Sequence, residues 1–132
     1  MSTRAQVRFA TREDGVSFSE HPNAIHAQFY VHSDGYPEGL GLNIAMSYTD
    51  QEIISGWEIE HVQTTHGDLD YIYYIWSDYD KDTWISIFET KPFEDQDGRC
   101  IFVGKPNKLI AKYGSQLDES YYKLNTNDEE RN

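Results

Sequence analysis

The sequence predicts a single α+β domain with a mainly antiparallel sheet and two or three short helices. Stretches in which apolar and polar residues alternate recur along the chain and are typical of strands. Two segments with helical spacing follow prolines, at Pro37 and Pro106, which suit the first turn of a helix. The 132 residues include ten Tyr, six Phe and three Trp, which supply enough apolar surface for one hydrophobic core.

The first part of the chain is predicted to contain two main strands. Residues 5–11 alternate around Val7 and Phe9, and residues 24–32 show the same kind of pattern. Between them, residues 16–19 are predicted to form a short partner strand. Antiparallel pairing is the simplest arrangement for strands that lie so close in sequence.

Helical positions follow a segment rich in turn residues, 33–39. Apolar side chains then recur at helical spacing and predict a helix over residues 37–48, although Gly39 and a second glycine lower its stability. Residues 51–55 are predicted to form another short helix, and residues 57–64 favour a strand.

A hairpin is the clearest predicted element. Residues 70–77 and 83–90 are rich in Tyr, Ile, Trp and Phe, and an acidic turn at 78–82 separates them. The first of these strands is apolar on both faces, which predicts either a central position in the sheet or a contribution to an interface. A strand over residues 100–104 and a helix over residues 106–113 complete the predicted fold.

The predicted domain spans residues 1–117, and residues 118–132 form a polar tail. Cys100 is the only cysteine, so no internal disulfide forms and a reducing cytosol is the expected compartment. The sequence has neither the apolar core of a signal peptide nor a run of roughly 20 apolar residues. We therefore expect a cytoplasmic protein without a membrane partner.

The chain is strongly acidic. It has 23 acidic and 11 basic side chains, and the resulting net charge of −12 repels nucleic-acid phosphates. Direct nucleic-acid binding is therefore disfavoured. Two interpretations remain open, a solubilising acidic surface and a surface that attracts a basic protein partner, including one that itself holds nucleic acid.

One pattern in the acidic turn is similar to a calcium loop. Asp78, Asp80, Asp82 and Glu89 have the spacing of acidic EF-hand ligands, but Thr83 stands where that loop needs glycine. The flanking residues also alternate as strands rather than helices. An acidic hairpin turn is therefore the favoured interpretation.

The remaining candidates for chemistry are incomplete motifs. The five histidines, His21, His26, His32, His61 and His66, show no recognised metal-ligand spacing. Ser2 would become an amino-terminal nucleophile after removal of Met1, although an ordinary processed start is simpler. The glycine-rich residues 35–41 match no phosphate-binding loop. A metal-dependent hydrolase stays a minor hypothesis, with a site either at His32 and Asp34 or at the acidic cluster of residues 78–82, and no cofactor is predicted.

Two short motifs suggest a relationship. Ser2-Thr3-Arg4 stands near the amino end, and His-Ser-Asp-Gly-Tyr-Pro-Glu-Gly-Leu-Gly spans residues 32–41. In these residues the chain resembles uncharacterised small phage and bacterial proteins with an N-terminal (Gly/Ser)-Thr-Arg triplet and an Asp-Gly-Tyr-Pro turn. The resemblance implies a shared structural corner in which Arg4 binds Asp34, while Tyr36 packs the turn. It brings no known activity.

The leading functional hypothesis is a small acidic binding or inhibitory protein, associated with phages and located in the host cytosol. Its partner would be a host defence or nucleic-acid-handling protein with a basic surface. Aromatic residues are good interface anchors, and the hairpin is rich in them, although strand alternation would bury about half of them in the core. The predicted partner-binding residues are Tyr74, Trp76, Asp78, Tyr79, Asp80, Asp82 and Trp84.

The alternative hypothesis is a sponge that sequesters a nucleotide-type defence signal. Its predicted ligand-binding residues are those of the corner, Arg4, His32, Asp34, Gly35 and Tyr36. Phosphates would also require further cations to converge there, and the available ones are Arg8, Arg12, Arg99, Lys105 and Lys108. A homo-oligomer would help by building pockets between subunits.

Overall fold

One six-stranded sheet forms the centre of the fold. The computed structural model describes residues 3–12, 22, 24–46, 56–77, 82–90 and 98–114. The strands are β1 (Ala5–Thr11), β2 (Ala24–Val31), β3 (Glu58–Glu60), β4 (Tyr71–Ser77), β5 (Thr83–Glu89) and β6 (Arg99–Gly104). The strand predicted at 16–19, the helix predicted at 51–55 and the tail at 118–132 lie outside the described residues.

Two helical segments pack on the sheet. A π-helical turn, Pro37–Gly41, continues into helix α1 (Leu42–Met46), and helix α2 spans Pro106–Tyr113. Prolines begin both segments, as expected for residues that cannot donate a backbone hydrogen bond. In the described part of the chain, no helix is long and apolar enough to cross a membrane.

The strand order is β3-β2-β1-β4-β5-β6, and one pair at the centre, β1 with β4, is parallel. The other pairs are antiparallel, so the predicted α+β class with a mostly antiparallel sheet is confirmed. Of the two alternatives predicted for the first hairpin strand, β4, the central position in the sheet is the one observed. The parallel pair was not predicted, because no short turn joins these two strands.

The parallel pair begins at a set of contacts between Arg4 and Asp70. The backbone N–H of Arg4 donates to Asp70 Oδ2 at 3.1 Å. In return, the carbonyl oxygen of Arg4 accepts hydrogen bonds from the N–H groups of Asp70 and Tyr71, at 2.8 and 3.3 Å. These contacts place the amino ends of β1 and β4 side by side.

The two faces of the sheet differ in chemistry. The face that carries α1 and α2, called here the helix face, holds the larger apolar core. Its fully buried residues include Val7, Tyr73, Ile87 and Leu109. The opposite face buries Tyr74, Trp76 and Phe88 together with polar side chains, Gln6 and Gln28 among them.

Candidate functional site

The Asp-Gly-Tyr-Pro segment forms a tight corner against the start of β1. The N–H of Gly35 donates to the carbonyl oxygen of Thr3 at 3.0 Å. The N–H of Leu40 donates to the carbonyl oxygen of Asp34, also at 3.0 Å. The buried hydroxyl of Tyr73 donates to the carbonyl oxygen of Gly35 at 2.7 Å. These bonds hold the corner in one conformation.

The corner requires its glycine. A Cβ atom on Gly35 would lie 2.9 Å from Ala5 Cβ and 3.1 Å from the carbonyl oxygen of Thr3. Asp34, which precedes it, has a φ of 58°, in the left-handed region where Asp is tolerated better than most residues. The Asp-Gly-Tyr-Pro segment therefore forms a tight corner, and the sequence resemblance stays a prediction.

A groove of about 370 Å³ lies beside this corner, at the amino ends of β1 and β4. We call it the corner groove. Its lining residues are Thr3, Tyr36, Asp70, Tyr71, Glu89 and Thr90. Tyr36 is 39 % exposed and is one of two large hydrophobic side chains exposed in the described residues. An exposed aromatic ring on a fixed backbone therefore stands next to two carboxylates.

Negative charge gathers around the corner groove. Burial, followed by the charges of Glu89, Glu38 and Asp70, raises the pKa of Tyr71 above its ordinary value. Burial and then the charge of Glu38 likewise raise the pKa of Tyr113. The groove consequently favours cationic groups over anionic ones.

Two of the predicted ligand residues are directed elsewhere. Arg4 binds Asp68, with Nη1 and Oδ2 at 2.7 Å, and the described residues contain no hydrogen bond between Arg4 and Asp34. The expected Arg4–Asp34 bond is therefore wrong, because the parallel pairing brings residue 68 to the guanidinium. His32 lies 3.0 Å from Glu58. Of the five predicted residues, only Tyr36 lines the corner groove.

The cations required by a phosphate site do not converge on the corner groove. Arg99 binds Glu89 at 3.1 Å, and Lys105 binds Asp82 at 3.2 Å. Among the described lining residues of the groove, none is Arg or Lys. A nucleotide would therefore meet the carboxylates of Asp70 and Glu89, and a cation beside them, Arg99, already pairs with Glu89.

The hairpin does not present its aromatic side chains as predicted. Tyr74 and Trp76 are 0 % and 1 % exposed, so neither is available on the surface of this chain. The indole N–H of Trp76 donates to Ser86 Oγ at 2.8 Å, and its ring stacks on Trp84 at 5.5 Å. The Arg12 guanidinium lies over the Trp76 ring at 4.2 Å.

The physical reason for this correction is that both faces of β4 are buried, so the apolar pattern of the strand marks core rather than interface. Asp82 is exposed and Trp84 is half-buried. Asp78, Tyr79 and Asp80 lie outside the described residues.

The sheet also contains a polar network that the sequence analysis missed. Arg8 Nε donates to Gln28 Oε1 at 2.8 Å, and Arg8 Nη2 donates to Gln6 Oε1 at 3.2 Å. The amide nitrogens of Gln6 and Gln28 donate to the same oxygen of Glu60, at 2.9 and 2.8 Å. A third Arg8 nitrogen donates to the hydroxyl of Tyr74 at 2.7 Å.

His66 joins the network from the loop after β3. Its Nε2 lies 2.7 Å from Glu60 Oε2, and its ring stacks on Tyr30 at 4.1 Å. The hydroxyl of Tyr30 in turn donates to Asp68 at 3.1 Å. Strand alternation was the available signal, because it places Gln6 and Arg8 on the face opposite Val7.

The metal hypotheses have little geometric support within the described residues. No group of three His, Cys, Asp or Glu side chains is placed there to hold an ion. Asp82 and Glu89 lie at opposite ends of β5, about 23 Å apart at the rise of an extended strand. These two residues cannot share one cation.

Comparison of the chain with models of protein families, with curated proteins and with solved structures finds no match. Function is therefore inferred from the geometry of this chain.

Proposed function

We propose that this chain is a small acidic binding protein that inhibits a protein partner with a basic surface, and that the corner groove is its recognition site. The observation that supports this proposal is Tyr36, a half-exposed aromatic side chain fixed beside the carboxylates of Asp70 and Glu89. Such a site fits a Lys or Arg side chain of the partner, which can contact the ring and pair with a carboxylate.

The rigidity of the corner strengthens this argument. The hydrogen bonds of Gly35 and Tyr73 fix the backbone before any partner arrives, so little conformational entropy is lost at Tyr36 on binding. Aromatic residues that are held in place in this way often contribute a large share of the binding energy of an interface. The net charge of −12 would add long-range attraction to a basic partner.

The resemblance predicted from the Ser-Thr-Arg and Asp-Gly-Tyr-Pro motifs is the ground for proposing a phage-associated role against a host protein. A defence or nucleic-acid-handling protein is the fitting class of partner, since its basic surface normally binds phosphates. The nucleotide-sponge alternative finds no support at the corner groove, where carboxylates rather than cations line the site.

The proposal is tested by selecting peptides that bind the wild-type protein from a library of short random peptides. The affinities of the selected peptides are then measured for the wild type and for variants. We expect the selected peptides to be rich in Lys and Arg. Tyr36→Ala and Glu89→Gln should each weaken binding by about tenfold, which corresponds to about 1.4 kcal/mol. Binding should also weaken with added salt.

Glu58→Gln is the matched control. Like Glu89→Gln it removes one carboxylate charge and one side-chain contact, at 3.0 Å to His32 instead of 3.1 Å to Arg99, but Glu58 lies on the edge strand β3. Its affinity for the selected peptides should equal that of the wild type. Selection of peptides without basic residues, or an equal loss in both Glu variants, would contradict the proposal.

A further inference from the structure

A second cavity, of about 360 Å³, lies at the carboxyl ends of β1 and β4. We call it the end cavity. Because β1 and β4 are parallel, their amino ends meet at the corner groove and their carboxyl ends meet here, at the opposite edge. Its volume falls within the range of about 300–1,000 Å³ that is typical of small-molecule sites.

The floor of the end cavity consists of two rows of side chains on the helix face. The inner row is apolar and is formed by Phe9, Ile75 and Ile85, which are aligned by the strand registers. The outer row carries hydroxyl groups and is formed by Thr11, Ser77 and Thr83, aligned in the same way. Residues two apart in a strand share a face, so the two rows are adjacent.

Trp57 and Ile44 also line the cavity, and they face this floor from outside the central strands. Trp57 belongs to an aromatic cluster in which Phe29 contacts both Trp57 and Phe9, each at 5.7 Å between ring centroids. The cavity therefore has an apolar interior that includes aromatic rings, with polar groups along one side.

A β-bulge places a histidine at the same rim. In the pairing of β1 with β2, Phe9 is opposite Ala27 and Ala10 is opposite Ile25, which leaves His26 as the extra residue. Bulges commonly redirect a side chain near a binding site. His26 is exposed, lines the cavity, and has its Nε2 at 3.1 Å from Thr11 Oγ1.

We infer that the end cavity binds a small uncharged aromatic heterocycle, about as large as indole or a nucleobase. The ring would lie on the inner row against Trp57, and its polar edge would meet the hydroxyl row and His26. None of the described lining residues is Asp, Glu, Lys or Arg, so a charged ligand would be desolvated without a counter-charge. This binding function is separate from partner recognition at the corner groove.

Amide chemical shifts of the protein test the inference. They are recorded during titration with indole, adenine and adenosine monophosphate. Indole and adenine should give saturable changes confined to the ends of β1, β4 and β5. The monophosphate should bind at least tenfold more weakly, because its phosphate finds no cation there. Absence of saturable binding, or equal binding of the monophosphate, would overturn the inference.

Comparison of variants inside and outside the end cavity tests whether the ligand binds there. Ser77→Ala should weaken adenine binding by about 2-fold to 10-fold, the effect of one lost hydrogen bond. Thr11→Trp, at an exposed position, should block the cavity and abolish binding while the unfolding midpoint stays unchanged. Ser33→Ala removes an exposed hydroxyl elsewhere and should change nothing. Equal effects of Ser33→Ala and Ser77→Ala would show that binding occurs outside the end cavity.

Discussion

The two faces of the sheet are stabilised by different means, although the same strands form both. On the helix face, Val7, Tyr73 and Leu109 pack as a largely apolar core. On the opposite face, Gln6 and Gln28 are equally buried but lie between the positive charge of Arg8 and the negative charge of Glu60. Both faces bury apolar side chains, but the second face also buries these glutamines, for which hydrogen bonding is the condition.

The two glutamines show how the second face meets that condition. Each amide directs its oxygen to Arg8 and its nitrogen to Glu60, so the orientation of both amides follows from the two charges. The charges are connected through neutral groups instead of a direct ion pair. Loss of one amide consequently affects both ends of the network.

Of the variants considered, Leu109→Ala should lower the free energy of unfolding most, and it should disturb packing on the helix face alone. Leu109 is 0 % exposed, and removal of its side chain should lower the free energy of unfolding by about 2–5 kcal/mol. Urea denaturation measures the change. Lys108→Ala, at an exposed position of the same helix, is the control and should stay within about 0.5 kcal/mol. A loss below about 1 kcal/mol in Leu109→Ala would mean that α2 contributes little to the core.

Gln28→Leu should destabilise the opposite face although it makes the interior more apolar. Arg8 Nε loses its acceptor, and the free energy of unfolding should fall by about 1–3 kcal/mol. Gln63→Leu makes the same chemical change at an exposed site and should stay within about 0.5 kcal/mol. If Gln28→Leu proved more stable than the wild type, hydrogen bonding would not be the condition for this face.

Tyr73 carries a buried hydroxyl on the largely apolar helix face, and its contribution to the free energy of unfolding should depend on pH. Burial raises the pKa of its phenol above the ordinary value, whereas the unfolded chain ionises near pH 10. The neutral Tyr73 phenol therefore contributes fully to the free energy of unfolding below about pH 10. This contribution is lost as the pH rises above about 10, by about 1.4 kcal/mol per pH unit.

Tyr73→Phe separates this titration from the hydrogen bond. At neutral pH the variant should lose about 1 kcal/mol, because the bond to the carbonyl of Gly35 is absent. Above about pH 10 its stability should decline less steeply than that of the wild type, as measured by urea denaturation. Parallel declines in the two proteins would show that Tyr73 ionises equally in the folded and unfolded states.

The predicted elements nearest to the observed ones are those with strong local signals. The strand predicted at 5–11 and the helix predicted at 106–113 coincide with β1 and α2. The strand β1 is indicated by alternation of apolar and polar residues, and the helix α2 by a proline followed by helical spacing. Both signals come from residues that are close together in the sequence. The helix predicted at 37–48 forms over its described part, but it begins as a π-helical turn.

The candidate site was only partly predictable. The Asp-Gly-Tyr-Pro motif identified the corner and Tyr36, because a turn is specified by adjacent residues. The partner of Arg4 was wrong, since Asp68 is 64 positions away and reaches Arg4 through the parallel pairing. The sequence leaves the apolar hairpin open as core or interface, because composition does not distinguish a strand buried on both faces from an exposed one.

By itself, the sequence determined the fold class, most of the described strands and helices, the tight corner and the acidic charge. These properties depend on local backbone preferences and on composition. The tertiary structure decided the parallel pairing of β1 with β4, and with it the corner groove, the end cavity and the polar network. Each of these joins residues from distant parts of the chain, and their meeting depends on strand order and register, which local patterns do not encode.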